Sequence, residues 1–196
     1  MGFVKDVFGK KGLLAGGMDS YEHRGEQVDM AEAVESALAE EKHLVVEAGT
    51  GVGKSFAYLV PAIEFAARTK QLVVVSTHTI NLQEQLMKKD IPMLQEALGI
   101  KFNPVLAKGR QNYLCRRRLT GFMQMQENLF KGTGHEELLS RLSRWALASE
   151  CGSKSDMPEN VPAEVWRQVE SDALHCGGKK CRHYSACFFY RDRKRA

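Results

Sequence analysis

The run Ala48-Gly49-Thr50-Gly51-Val52-Gly53-Lys54-Ser55 limits what this chain can fold into more than any other stretch of it. Glycines at alternate positions let backbone N–H groups turn inward around phosphate oxygens, where side chains would block the approach. Such a loop works only when a helix follows, because the helix N-terminus carries the positive end of a dipole. The sequence supplies that setting. Leu44-Val45-Val46 reads as a short buried strand, and a helix is expected from Lys54 to Arg68, with Pro61 removing one of its hydrogen bonds. The strict pattern begins with glycine, and here Ala48 stands in that place. In this arrangement Lys54 reaches the β- and γ-phosphates of a nucleotide and the Ser55 hydroxyl ligates Mg²⁺.

Around the loop the pattern alternates. Residues 27–41 carry Met30, Ala33, Val34, Ala37 and Leu38 at helical spacing. Gln71 to Thr77 is a continuous apolar run of the kind found in parallel sheets covered on both faces. A helix from Ile80 to Leu98, interrupted at Pro92, and a weak strand at Pro104–Ala107 complete a β-α-β-α-β order. The expected fold class is therefore α/β, a partial doubly wound parallel sheet. Residues 1–25, by contrast, read as an irregular lead-in. After Lys108 the strand signals stop. Leu138, Leu139, Leu142, Trp145 and Ala146 form a stripe on one helix, and a second helix is expected near Pro162–Glu170 with Asn160 available as its cap. The division expected is 1–108, 109–190 as a mostly helical insertion, and 191–196 as a return toward the first part.

Composition narrows the class. At 43% hydrophobic residues the chain can bury a core, and it has no run of the ~20 apolar residues that a membrane helix needs. Its first twenty residues carry lysines rather than an apolar signal core, so the expected compartment is the cytoplasm, with no membrane partner. The net charge of +4 decides little, but basic residues crowd around Cys115 (Lys108, Arg110, Arg116, Arg117, Arg118) and near the end of the chain. Such clusters attract polyanions, or merely form a solvated face. The five cysteines are an odd number in a chain without an export signal, which favours a metal or cluster over disulfides. Four residues separate Cys176 from Cys181 and five separate Cys181 from Cys187, with Cys115 sixty residues upstream of Cys176. That spacing suits an iron–sulfur cluster with a single distant ligand. Zinc, with His175 or His183 as a substitute ligand, remains open, as do unliganded thiols.

Several segments together resemble the DinG/YoaA group of bacterial helicases, relatives of XPD. Tyr21-Glu22-His23-Arg24 with Gln27 is similar to the adenine-sensing Q-motif, Glu47 to Ser55 to motif I, and Ser76 to Leu86 to motif Ia. Lys108 to Cys115 resembles the entry to the family's iron–sulfur domain, and Cys176, Cys181 and Cys187 followed by Phe188-Phe189 resemble its exit. The resemblance implies a P-loop (RecA-like) motor domain with an iron–sulfur insertion. It implies an ATP- and Mg²⁺-dependent DNA helicase moving 5′ to 3′ on single-stranded or forked DNA in DNA repair, with protein partners unknown. It makes Tyr21, Arg24, Gln27, Ala48, Gly49, Thr50, Gly51, Val52, Gly53, Lys54 and Ser55 nucleotide-binding, with Lys54 and Ser55 also serving catalysis. It makes Cys115, Cys176, Cys181 and Cys187 the ligands of a [4Fe-4S] cluster, and leaves Cys151 out. Thr77, Asn81 and Gln85 become donors to the DNA backbone. No Asp-Glu-Ala-His run occurs in the sequence. The polypeptide is therefore expected to be an N-terminal fragment that binds nucleotide weakly and hydrolyses almost none. The other readings are a non-motor ATP- and single-stranded-DNA-binding module, and a zinc-bearing P-loop protein.

Overall fold

The computed structural model describes residues 2–17, 21–129, 136–158 and 160–195. It divides into two compact units, Met1–Pro104 and Val105–Ala196.

The first unit is built on a pair of helices. Helix α3 (Gly25–Ala39) packs along α4 (Lys54–Thr69). In α4, Ala57, Leu59, Val60, Pro61, Ala62 and Ile63 are all buried. Pro61 thus sits inside the core face of an unbroken helix, where burial offsets its missing N–H bond. The lead-in is not irregular. It forms two short helices, α1 (Phe3–Phe8) and α2 (Leu13–Gly17), because Val4, Val7 and Phe8 recur at helical spacing and all three are fully buried. The apolar stripe expected on α3 is only half-buried, and the face most deeply covered carries Gln27 and Ala31 instead.

The expected long helix after residue 80 comes in three parts: α5 (Ile80–Gln85), a π-helical turn at Leu86–Asp90, and α6 (Ile91–Leu98). Pro92 explains the break. It sits in the first turn of α6 and lacks the N–H that would continue the preceding ladder, so the chain widens there by one residue. Thr79 opens α5 by accepting from the Leu82 amide across 3.3 Å.

No strand ladder forms among the described residues, whose only bridges are isolated pairs in the second unit. Residues 44–46, 71–77 and 104–107 therefore do not make the expected parallel sheet here. Val45 is 97% exposed, Leu72 73% and Val74 78%. An apolar β-branched run reports a preference for a pleated, covered surface, but a strand exists only when a neighbour completes its hydrogen bonds.

The second unit is helical: α7 (Arg116–Leu129), α8 (Glu136–Ala148), α9 (Ala163–Val169) and α10 (Phe188–Arg195). Leu138, Leu139, Leu142 and Ala146 of α8 enter a core with Tyr113, Leu114, Val165, Trp166, Phe188 and Phe189. Helix α9 begins after Pro162 with no side-chain cap, so Asn160 does not fill that role. Residues 113–115 thread between two segments. Leu114 N–H donates to the Gly152 carbonyl at 2.9 Å, and Cys115 N–H to the Val169 carbonyl at 2.7 Å.

Candidate functional site

The phosphate loop has the backbone its glycines permit. Gly51 and Gly53 hold φ of 82° and 83°, a left-handed conformation that costs other residues ~1–2 kcal/mol. Gly53 opens α4, and its carbonyl accepts from Phe56 and Ala57. The exposed Lys54 ammonium donates to the carbonyls of Ala48 (3.1 Å) and Gly49 (2.6 Å). The lysine is thus folded back over the loop that a triphosphate would enter. Burial raises the Tyr58 phenol's pKa, an effect that the nearby Ser55 hydroxyl partly offsets.

Two upstream residues close on this loop. Gln27 is buried, and its amide donates to the Gly53 carbonyl at 2.9 Å. Arg24 donates to the Gly51 carbonyl and pairs with Glu22 at 2.7 Å. Both therefore touch the loop. Tyr21 is placed otherwise. Its hydroxyl donates to the Phe8 carbonyl at 2.6 Å, and burial raises its pKa. His23 Nδ1 meets the same carbonyl at 2.9 Å. The lead-in helix is therefore what positions this segment, a role that the composition of residues 1–20 did not signal.

Of the three suggested DNA-backbone donors, Thr77 donates to the Thr79 carbonyl at 3.4 Å and Gln85 to the buried Asp90 carboxylate at 3.3 Å. Asn81 is exposed.

In the second unit Cys115, Cys176, Cys181 and Cys187 line one pocket with His175, His183, Tyr184 and Tyr190. Cys151 lies apart, donating to Asp156 at 2.6 Å, and burial raises its pKa. No group of three or more His, Cys, Asp or Glu among the described residues could hold a metal ion. A single tetrahedral ion draws its thiolates to ~2.3 Å from one point. A cluster is a larger body with thiolates on separate irons, so its ligands stand farther apart.

The charge around the pocket is mainly cationic, although the Asp172 carboxylate also lines it, paired with His175. Arg110 Nη1 and Arg116 Nε are buried without a hydrogen-bond partner, as are Nε and Nη2 of Arg191. Their guanidiniums rest on aromatic faces: Arg110 on Phe189 at 3.9 Å, Arg116 and Arg191 on Phe188 at 4.6 and 5.3 Å. Buried cations with spare donors fit an anionic guest. Burial alone would raise the Cys176 pKa, yet the Gly178 amide, Arg110 and Tyr190 together bring it below the usual thiol value. Burial pushes Cys187 upward despite amide donors from Tyr190 and Phe189. Burial and the neighbouring arginines lower the His183 pKa.

The basic cluster beside Cys115 is mostly committed internally. Arg118 donates to the Glu170 carbonyl at 2.9 Å and the Arg167 carbonyl at 2.6 Å, closing the C-terminal end of α9. Arg117 donates to the His175 carbonyl. Lys108 is buried, with its ammonium on Ser153 at 2.9 Å and Ser155 at 2.5 Å. The partners that sequence reasoning missed are Arg110, Gly178 and Tyr190 around Cys176. Their only signal was proximity in sequence to the cysteines.

Residues 29–134 match the DEAD/DEAH box helicase family. The chain is 35% identical over 200 residues to the ATP-dependent DNA helicase YoaA of Haemophilus influenzae, covering 98% of this chain and 29% of that protein. It is 37% identical over 197 residues to YoaA of Escherichia coli, covering 98% and 30%. It is 40% identical over 186 residues to the ATP-dependent helicase DinG of Mycobacterium tuberculosis, covering 87% and 28%. The chain thus spans about three tenths of the length of these curated relatives.

Proposed function

The chain belongs to the DEAD/DEAH box helicase family, and from that premise we propose that it is the ATP-binding front of an iron–sulfur DNA helicase. One observation carries the reading. Two segments twenty-odd residues apart in sequence, Arg24–Gln27 and Gly49–Ser55, meet through Gln27 and Arg24 on the carbonyls of Gly53 and Gly51. A base-sensing amide linked to a phosphate loop lets adenine recognition and phosphate binding act together. With Mg²⁺·ATP bound, the Lys54 ammonium, which now rests on the Ala48 and Gly49 carbonyls, would hold the β- and γ-phosphates, and the Ser55 hydroxyl would be a ligand of the Mg²⁺. Residues 44–46 and 71–77, unpaired in this structure, would serve as strands of the motor domain's parallel sheet once neighbouring strands complete their hydrogen bonds.

Residues 109–190 form the iron–sulfur insertion in this reading. Cys115, Cys176, Cys181 and Cys187 would hold a [4Fe-4S] cluster, and the spare donors of Arg110 and Arg116 support an anionic group there. When bound, the cluster supplies a one-electron centre and metal–thiolate bonds that tie Cys115 to a segment sixty residues away. The substrate is single-stranded or forked DNA, and the direction 5′ to 3′. No described helix is long and apolar enough to cross a membrane.

The test has two arms. A fluorescent ATP analogue is titrated with Mg²⁺ against the chain and its Lys54→Ala variant. Binding is expected to fall at least about tenfold in the variant, for the loss of a charge-assisted phosphate contact. Equal affinity overturns the phosphate-loop assignment. Iron and acid-labile sulfide are measured after anaerobic purification, and stoichiometric zinc without sulfide overturns the cluster.

A further inference from the structure

The four cysteines do not have equal surroundings. Gly178 N–H points at Cys176 Sγ from 3.4 Å, and the Tyr190 hydroxyl lies 3.9 Å from the same sulfur. As a thiol, Cys176 donates to that hydroxyl. As a metal-bound thiolate it has no proton to give, and the hydroxyl turns to donate to it. The Arg110 guanidinium lies beside both Cys176 and Tyr190 and acts electrostatically on each. Such a set, with a backbone amide, a phenol and a guanidinium on one sulfur, appears at none of the other three cysteines among the described residues.

Tyr190 is held in place independently of the sulfur. Its ring lies 4.9 Å from that of Tyr184 and 5.3 Å from that of Phe189. The Arg110 guanidinium is 5.5 Å from its centroid. These contacts fix the ring through its faces and leave the hydroxyl as the part aimed at Cys176. The Tyr184 hydroxyl has no such contact with sulfur among the hydrogen bonds described.

We propose that Tyr190 is a positioning residue whose hydroxyl tunes the reduction potential of the iron–sulfur group held by Cys176. The inference rests on the cluster assignment above. Adding an electron puts more negative charge on the thiolate sulfurs, so a donor to one of them stabilises the reduced form more than the oxidised form. Hydrogen bonds to the sulfurs are among the factors that set such potentials. Removing the hydroxyl therefore moves the midpoint to a more negative value without removing a ligand.

The experiment compares the 196-residue chain, its Tyr190→Phe variant and a Tyr184→Phe control, each purified anaerobically and assayed for iron and acid-labile sulfide. Redox titration followed by visible absorbance and electron paramagnetic resonance gives the midpoints. Tyr190→Phe keeps every ring contact and is expected to retain full iron and sulfide. At a fixed potential its ratio of reduced to oxidised cluster is expected to fall about threefold, which is ~28 mV for one electron at ~59 mV per decade. Tyr184→Phe is expected to titrate like the parent. An unchanged midpoint in Tyr190→Phe overturns the proposal, and so does an equal shift in both variants. Loss of iron and sulfide in Tyr190→Phe also overturns it, because the hydroxyl would then be a structural strut. Absence of iron and sulfide from the parent chain instead refutes the cluster assignment itself.

Discussion

Gly53→Ala separates backbone strain from side-chain crowding at the phosphate loop. Gly53 has φ +83°, and a Cβ built there would lie 2.1 Å from Gln27 Nε2 and 3.0 Å from its Cδ. The φ alone costs an alanine ~1–2 kcal/mol. The Gln27 amide must also withdraw, giving up its 2.9 Å bond to the Gly53 carbonyl, which costs ~1 kcal/mol. Together ~2–3 kcal/mol act against this loop geometry, so Mg²⁺·ATP binding should weaken ~30- to 150-fold at 1.4 kcal/mol per decade. The assay is calorimetric titration of the parent, Gly53→Ala, Gln27→Ala and the double variant, with circular dichroism to confirm helix content. Because the clash needs both side chains, the double variant should lose less than the sum of the singles by ~1 kcal/mol. Parent-like affinity in Gly53→Ala, or strict additivity in the cycle, would refute the reasoning.

Two further outcomes are expected. Gly152, at φ +62°, would place a Cβ 2.2 Å from the ring of the fully buried Phe188. Gly152→Ala should destabilise the chain by ~2–5 kcal/mol, the sum of left-handed strain and overpacking, read as a lower midpoint in urea. In the metal-free chain, Cys176 should be alkylated by iodoacetamide at lower pH than Cys151 or Cys187. Its thiol pKa is lowered and theirs are raised, so its reactive thiolate forms first as pH rises. Mass-spectrometric mapping across a pH series checks this, and alkylation of Cys187 before Cys176 would contradict it.

The loop at 48–55 and the helix after it were legible because local chemistry dictates both. Alternate glycines allow the turn, and an apolar face at helical spacing sustains α4. The break near Pro92 was legible for the same reason, since a missing N–H is a local fact. The strands were not settled by their own residues. Val45 and Leu72 carry strand preference, but pairing depends on partners far away in sequence. The helical lead-in was missed because Val4, Val7 and Phe8 are too few to stand out as a period, and tertiary burial against α3 and α4 completes their case. At the cysteines, spacing pointed to Cys115, Cys176, Cys181 and Cys187. It could not reveal that Arg110 and Tyr190 converge on Cys176, because that depends on how α10 packs against the segment before Cys115.

The commitments of Arg117 and Arg118 have a thermodynamic consequence for any polyanion that meets this surface. Each phosphate neutralised by a mobile cation releases condensed counterions, and for single strands adds about 0.7 to the slope of log affinity against log salt. Arg118 is fastened to the end of α9, Arg117 to the His175 carbonyl, and Arg116 is turned onto Phe188. They still contribute positive potential, but they cannot reach out to individual phosphates without breaking those contacts. A slope reckoned from the basic residues beside Cys115 therefore overstates the measured one by about two units for these three arginines. The cluster that looks like a nucleic-acid grip in the sequence acts at a distance, as a field.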